Sequence, residues 1–232
     1  LGLGININHL SYGITRSLDI NLPYSYSLKV GNHNLSFGSA INFKSYQENY
    51  SKELVAIDDR TIDPSIPNTN LSSQSLNFGL GIYFSNNTSF LGLSTQSLVN
   101  DIVLVDNNVL IPSFRSLDII GGLKFDVGSD VALLMQGMGR LATQFGSLLD
   151  LNAGFEYQNK MNFGIGMRLG TPIANAMTFN AGFDVVNGYI GFAYEYPLSQ
   201  LRGVQLGSYE IIGFYSLKLK KSKYEGFNPR FF

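Results

Sequence analysis

A period of two residues runs through most of this chain. In MNFGIGMRLG (Met161 to Gly170), Met161, Phe163, Ile165, Met167 and Leu169 alternate with Asn162, Gly164, Gly166, Arg168 and Gly170. Successive side chains of a strand point to opposite faces, so one face here is wholly apolar and the other is glycine, amide and guanidinium. The same split recurs elsewhere. Leu1, Leu3, Ile5 and Ile7 alternate with Gly2, Gly4, Asn6 and Asn8, and Leu18, Ile20, Leu22, Tyr24, Tyr26, Leu28 and Val30 with Asp19, Asn21, Pro23, Ser25, Ser27 and Lys29. After the turn GNHN, Leu35, Phe37, Ile41 and Phe43 oppose Ser36, Gly38, Ala40 and Asn42, which reads as a hairpin.

Twelve candidate strands follow from this pattern, most of 9–13 residues. Soluble strands average about 5–6 residues, whereas a tilted strand needs roughly 9–11 to cross a bilayer. The joins are of two kinds. QNK, TPIAN and NG are short, and Asn187–Gly188 is a two-residue hairpin signal. A polar insertion from about Gln47 to Ser75 and a second loop from about Leu98 to Ser113 are long. Short turns at one end of the strands and longer loops at the other suit a transmembrane barrel. Segments 98–112 and 141–148 have room for a turn of helix, and no longer helical period is present.

Composition decides which face meets which medium. Only 14% of residues are charged and 44% are apolar, where soluble proteins carry roughly 25% charge. The polar faces hold Gly, Asn and Ser with sparse single charges, such as Asp150, Asn152, Gly154 and Glu156 on one strand and Gly191, Ala193 and Glu195 on another. A water-facing sheet would carry Lys, Glu and Thr freely, whereas small residues with interspersed opposite charges suit a crowded lumen. Tyr12, Tyr46, Tyr157, Tyr189, Tyr196 and Tyr209 fall near segment ends, as interfacial girdles would. No 18 consecutive apolar residues occur, which excludes a transmembrane helix. The expected fold is therefore all-β, a transmembrane antiparallel β-barrel of about 12 strands spanning residues 1–219, with a basic, aromatic tail at 220–232. A soluble β-sandwich or lipocalin-like barrel is the competing architecture. Arg168 is expected to pair with a neighbouring carboxylate, Glu156 or Asp184.

Several function classes drop out. Lys plus Arg is 16 against 17 Asp plus Glu, so nucleic acid is not an expected partner. The absence of cysteine removes disulfides, thiol nucleophiles and thiolate metal sites. His9 and His33 are read as solvated residues rather than metal ligands. Ser11 near His9 is the only local candidate for the serine–histidine pair that a lipid-modifying enzyme would need, oriented by a third group. Asp58, Asp59, Arg60 and Asp63 fit no twelve-residue calcium loop and read as solvated charge. The Gly-X-Gly runs lie inside alternating strands with no following helix, so a dinucleotide loop fails. No catalytic, metal or cofactor residue is expected.

Three stretches carry a more specific pattern: GLGIYFSNNTSFLGLSTQSL, FRSLDIIGGLKFDVGSDV and GYIGFAYEYPLSQLRGVQLGSYEIIGFYSLKL. With Ala193 to Tyr196, Gly207 to Glu210 and the ending GFNPRFF, the chain resembles the PorP/SprF family of outer-membrane proteins, linked to type IX secretion and gliding in Bacteroidota. The resemblance covers nearly the whole chain through strand order and scattered positions, without an invariant catalytic motif. It implies a non-enzymatic outer-membrane component with lipid around it. The partners it implies are a secreted or surface-anchored adhesin and periplasmic secretion or motor components. A passive porin or hydrophobic-substrate channel is the alternative. The family's signal peptide and Asn-, Pro-, Ala- and Tyr-rich opening are not seen here, so about 14 strands are expected if the N-terminus is missing. In the basic tail, Lys218, Lys220, Lys221, Lys223 and Arg230 are read as marking the membrane boundary; the alternatives are docking of a periplasmic partner and recognition of Phe231–Phe232 by barrel-assembly machinery.

Overall fold

The computed structural model describes residues 1–49, 70–98, 101–105, 108–113, 115–142, 146–170, 175–199, 203 and 206–217, with backbone alone for 101–113. Asp58, Asp59, Arg60 and Asp63, and the tail from Lys218 to Phe232, lie outside these residues. Strands account for nearly all of the rest: β1 (Gly2–Leu3), β2 (Asn6–Tyr12), β3 (Thr15–Val30), β4 (His33–Glu48), β5 (Leu71–Ser85), β6 (Ser89–Thr95), β7 (Asp101–Val105), β8 (Asn108–Ser113), β9 (Ser116–Asp126), β10 (Val131–Ala142), β11 (Gly146–Tyr157), β12 (Met161–Gly170), β13 (Ala176–Val185), β14 (Gly188–Pro197) and β15 (Ser208–Tyr215). Thirteen of them form one antiparallel sheet in the order β1-β3-β4-β5-β6-β9-β10-β11-β12-β13-β14-β15, with β2 also on β3, and β7 and β8 pair separately. The order is a path with two ends, β1–β2 and β15, among the described residues.

Chemistry explains how thirteen pieces match an expectation of twelve. β1 and β2 continue one register against β3: Gly2 lies opposite Ser25, and Asn6 opposite Asn21. Between them Gly4 donates to the carbonyl of Pro23 at 2.9 Å. Proline has no N–H to return, so the ladder is interrupted there. β1 and β2 are one strand with a proline-made gap.

Other boundaries shift for identifiable reasons. β4 runs to Glu48 and β5 starts at Leu71, so the insertion is shorter than expected and β3, β4 and β5 reach 15 or 16 residues. LSSQS joins β5 although serine on both faces hides its alternation. The 98–112 region holds the hairpin β7–β8, with a bulge at Val103–Leu104, instead of a helical turn. Its runs IVLV and VLI are continuously apolar and carry no period of two. The 141–148 region is strand on both sides of 143–145 and shows no helical turn among the described residues. The β13–β14 loop is Val186–Asn187, closed by Val185 opposite Gly188, one residue earlier than the Asn-Gly pattern indicates. Asn187 takes the positive φ, 58°. Gly188 serves a different need, since a Cβ there would stand 2.5 Å from the carbonyl oxygen of Phe214.

The described chain divides into two compact units, one of Leu1–Phe84, Gly92–Asp118 and Ala142–Gln144, the other of Ser85–Leu91, Ile119–Leu141 and Phe145–Phe232. Among the described residues neither shows a conventional core. Buried apolar side chains are few, Leu71, Phe90, Ala132 and Ala176, while polar Ser73, Asn77, Ser85, Ser97 and Asp118 are buried. The large apolar side chains stand exposed instead, including Leu80, Phe155, Phe163, Ile165, Phe183 and Phe192. Water-facing chains rarely expose contiguous apolar surface on this scale.

Candidate functional site on the polar face

The polar face of β11–β15, within the second unit, carries Asp150, Glu156, Arg168, Asp184 and Glu195. Its geometry follows from turns. Gln158 and Asn159 adopt φ of 51°, Lys160 donates to the Tyr157 carbonyl at 2.9 Å, and Tyr157 closes the hairpin against Met161. Counting back from that closing pair sets Glu156 opposite Asn162, Gly154 opposite Gly164, Asn152 opposite Gly166 and Asp150 opposite Arg168. On the next strand Arg168 faces Ala176, and Thr178 faces Glu195.

Arg168 therefore pairs with residues other than those expected. Its Nε donates to Asp150 Oδ1 at 2.8 Å and its Nη2 to Asp150 Oδ2 at 3.4 Å. Nη1 donates to Glu195 Oε2 at 2.6 Å. Neither Glu156 nor Asp184 is the partner, because the register carries both toward the opposite end of the strands. The reach to Glu195 passes over β13, where the small and buried Ala176 leaves room for the guanidinium. Glu156 instead accepts from Lys124 Nζ at 2.5 Å, across the intervening β10, and Asn159 Oδ1 accepts from the same ammonium at 3.2 Å. These charges are half-buried, with side chains 22–35% exposed. Half-buried ion pairs hydrogen-bonded on both sides satisfy the charge that a water-poor interior would penalise.

Glycines make the space for the amides between them. A Cβ on Gly164 would lie 2.5 Å from Asn180 Oδ1 and 2.9 Å from Asn152 Oδ1. One on Gly166 would collide with Thr178 Oγ1 and stand 3.0 Å from Asn152 Nδ2. The side chains of Asn152, Asn180 and Thr178 thus lie across β12 in room that only glycine leaves. Tyr189 folds over Gly182 in the same way, donates to Asn162 Oδ1 at 3.1 Å and stacks on Phe214 at 5.6 Å between centroids.

The first unit has an amide-rich polar face of its own. Asn21 donates to Asn42, Asn42 Nδ2 to the Gln96 carbonyl at 2.7 Å, and Asn77 Nδ2 to Ser97 Oγ at 2.6 Å. These bonds hold the chain where it leaves β6 toward the β7–β8 hairpin. Tyr46 donates to Glu48 at 2.7 Å.

The tyrosines divide between the faces. Tyr157, Tyr196 and Tyr209 share the apolar face with Met161, Met177 and Tyr194, as a girdle requires. Tyr12, Tyr46 and Tyr189 lie on the polar face, opposite Thr15, Ser17 and Asp184. Position near a strand end does not determine parity. His9 and Ser11 share the exposed apolar face of β2, opposite Leu18 and Arg16, and the nearest carboxylate of β3, Asp19, points to the other side. His33 opens β4 rather than sitting in the turn, and its ring stacks on Phe84 at 4.8 Å. Among the described residues, no three His, Asp or Glu gather as metal ligands would.

An all-antiparallel sheet with one exposed apolar face and one ion-paired, amide-rich face defines a class, the strand-built membrane proteins. The family described as "type IX secretion system membrane protein PorP/SprF" matches residues 1–215, and the chain belongs to it. No curated protein matches the sequence significantly.

Proposed function

We propose that this chain is a non-enzymatic outer-membrane barrel of the type IX secretion and gliding machinery, supporting the export or surface anchoring of a partner such as an adhesin. In this reading residues 1–219 form the membrane unit and 220–232 a basic, aromatic tail whose lysines mark the membrane boundary. One observation carries the membrane placement: the face bearing Phe155, Phe163, Ile165, Phe179, Phe183 and Phe192 is large, apolar and exposed, while the opposite face pairs its charges. The family's printed description, a secretion-system membrane protein, supports the machinery. The partners follow from the family resemblance alone.

The test is deletion of the gene, followed by surface proteomics and recovery of tagged protein from the outer-membrane fraction. Loss of a surface protein, with periplasmic secretion components co-purifying, is the expected result. An intact surface proteome with a large, steady conductance in planar bilayers would replace this reading with a passive porin. A detergent-free soluble monomer would remove both.

A further inference from the structure

Among the depressions in the apolar face of the second unit, two differ in their lining. The larger, about 650 Å³, is walled by Leu123, Met135, Leu151, Ile165 and Met167, and no charged residue lines it. The smaller, about 450 Å³, has a charged mouth. Its floor is Ala181, which stands between Phe163 of β12 and Phe192 of β14 in one cross-strand row. The next row toward the tight turns is Met161, Phe183 and Ile190. Beyond it comes Lys160, which also lines the socket. A single alanine among phenylalanines therefore sinks the surface by most of an aromatic side chain. The resulting volume falls in the roughly 300–1,000 Å³ range of pockets that hold small organic ligands.

Lys160 is exposed and has no ion-pair partner among the described residues, unlike Lys124 and Arg168. Phe163 stands three positions further along the chain, about 10 Å in extended backbone. Asp184 also borders the socket; its side chain lies on the polar face, opposite Tyr189, and its N–H donates to the Lys160 carbonyl at 2.7 Å. The arrangement is an apolar slot with one unneutralised cation at its turn end, where short turns of outer-membrane barrels face the periplasm.

We propose that this socket binds one phospholipid of the periplasmic leaflet, an acyl chain over Ala181 and the phosphate on the Lys160 ammonium. The proposal rests on the membrane reading above. Charge complementarity selects this occupant: an uncharged chain or an apolar protein helix would leave the ammonium unanswered, while a phosphodiester answers it about one glycerol backbone away from the chain. Fixed to three strands, such a lipid would be retained on extraction while annular lipid exchanges.

The test uses the full chain refolded in detergent micelles and native mass spectrometry, with dioleoyl phosphatidylglycerol and uncharged dioleoylglycerol as competing probes. The wild type should retain one phosphatidylglycerol in preference to dioleoylglycerol. Lys160→Gln should lower that occupancy about fivefold, Lys160→Arg should keep it, and Ala181→Phe should abolish binding of both probes. Equal retention of the probes by the wild type, no effect of Lys160→Gln, or a protein dimer lost in Ala181→Phe without any lipid adduct would each overturn the proposal. Lys160→Gln, in an exposed turn, keeps the test decisive if Ala181→Phe does not fold. Liposome flotation separates the two levels. Protein that floats without a selective adduct refutes the socket alone, and protein that does not float refutes the membrane reading.

Discussion

Replacing Arg168 by Met removes the cation that two carboxylates share and leaves both on a half-buried face. Three charge-assisted hydrogen bonds disappear, two to Asp150 and one to Glu195. Their size follows from exposure. Fully exposed pairs contribute about 0.2–1 kcal/mol, and breaking a fully buried one costs about 3–5 kcal/mol. The three side chains are 31–35% exposed, which puts the loss between these limits, about 2 kcal/mol, after allowance for solvent screening. Urea unfolding of the protein refolded in lipid vesicles measures it, followed by tyrosine fluorescence, since the chain has 13 Tyr and no Trp. At roughly 2 kcal/mol per molar urea the midpoint should fall by about 1 M. The triple variant Arg168→Met, Asp150→Asn, Glu195→Gln should recover most of the loss, because the destabilisation comes from uncompensated charge. If Arg168 faced lipid instead, its removal would stabilise the protein by about 2–4 kcal/mol, and that outcome would refute the assignment of faces.

Further outcomes follow from the same geometry. Ile165→Lys, on the apolar face, should cost about 2–4 kcal/mol in vesicle-based unfolding, more than a lysine at exposed Val186 in the β13–β14 loop. Gly164→Val, which drives a side chain into Asn152 and Asn180, should lower stability by about 1–3 kcal/mol in the same assay. Lys124→Met should destabilise, and adding Glu156→Gln should restore most of the difference in a double-mutant cycle; strict additivity of the two changes would mean the pair is not coupled. Gly188→Ala, whose Cβ meets the Phe214 carbonyl, should raise amide exchange in Tyr189–Gly191 and Ile212–Phe214 while leaving β11 protected.

The sequence made parity legible and left partners open. Alternation alone assigns Arg168 to the polar face and Ile165 to the apolar one, because a strand has one period and few exceptions. It assigns no partner, since that needs the closing pair of each turn. Once Tyr157 is known to face Met161, Asp150 must face Arg168, and Glu156 lies too far along the strand. The link to Glu195 is harder still, as it requires two registers and a small residue at Ala176. Continuous apolar runs also hid structure: IVLV and VLI have no period, so β7–β8 read as a loop. Tyrosines near strand ends suggested a girdle, but Tyr12, Tyr46 and Tyr189 show that end position and face are independent variables.

The two salt links that skip a strand have a mechanical meaning. Backbone bonds tie each strand only to its neighbours, and glycine-rich faces offer little to stop a neighbour sliding by two residues. Lys124–Glu156 bridges β9 to β11, and Arg168–Glu195 bridges β12 to β14. A two-residue slip anywhere between their ends moves one charge by about 7 Å and breaks the strut. The width of a closed barrel depends on strand number and stagger together, so in such a barrel these struts would act as gauge blocks for its width.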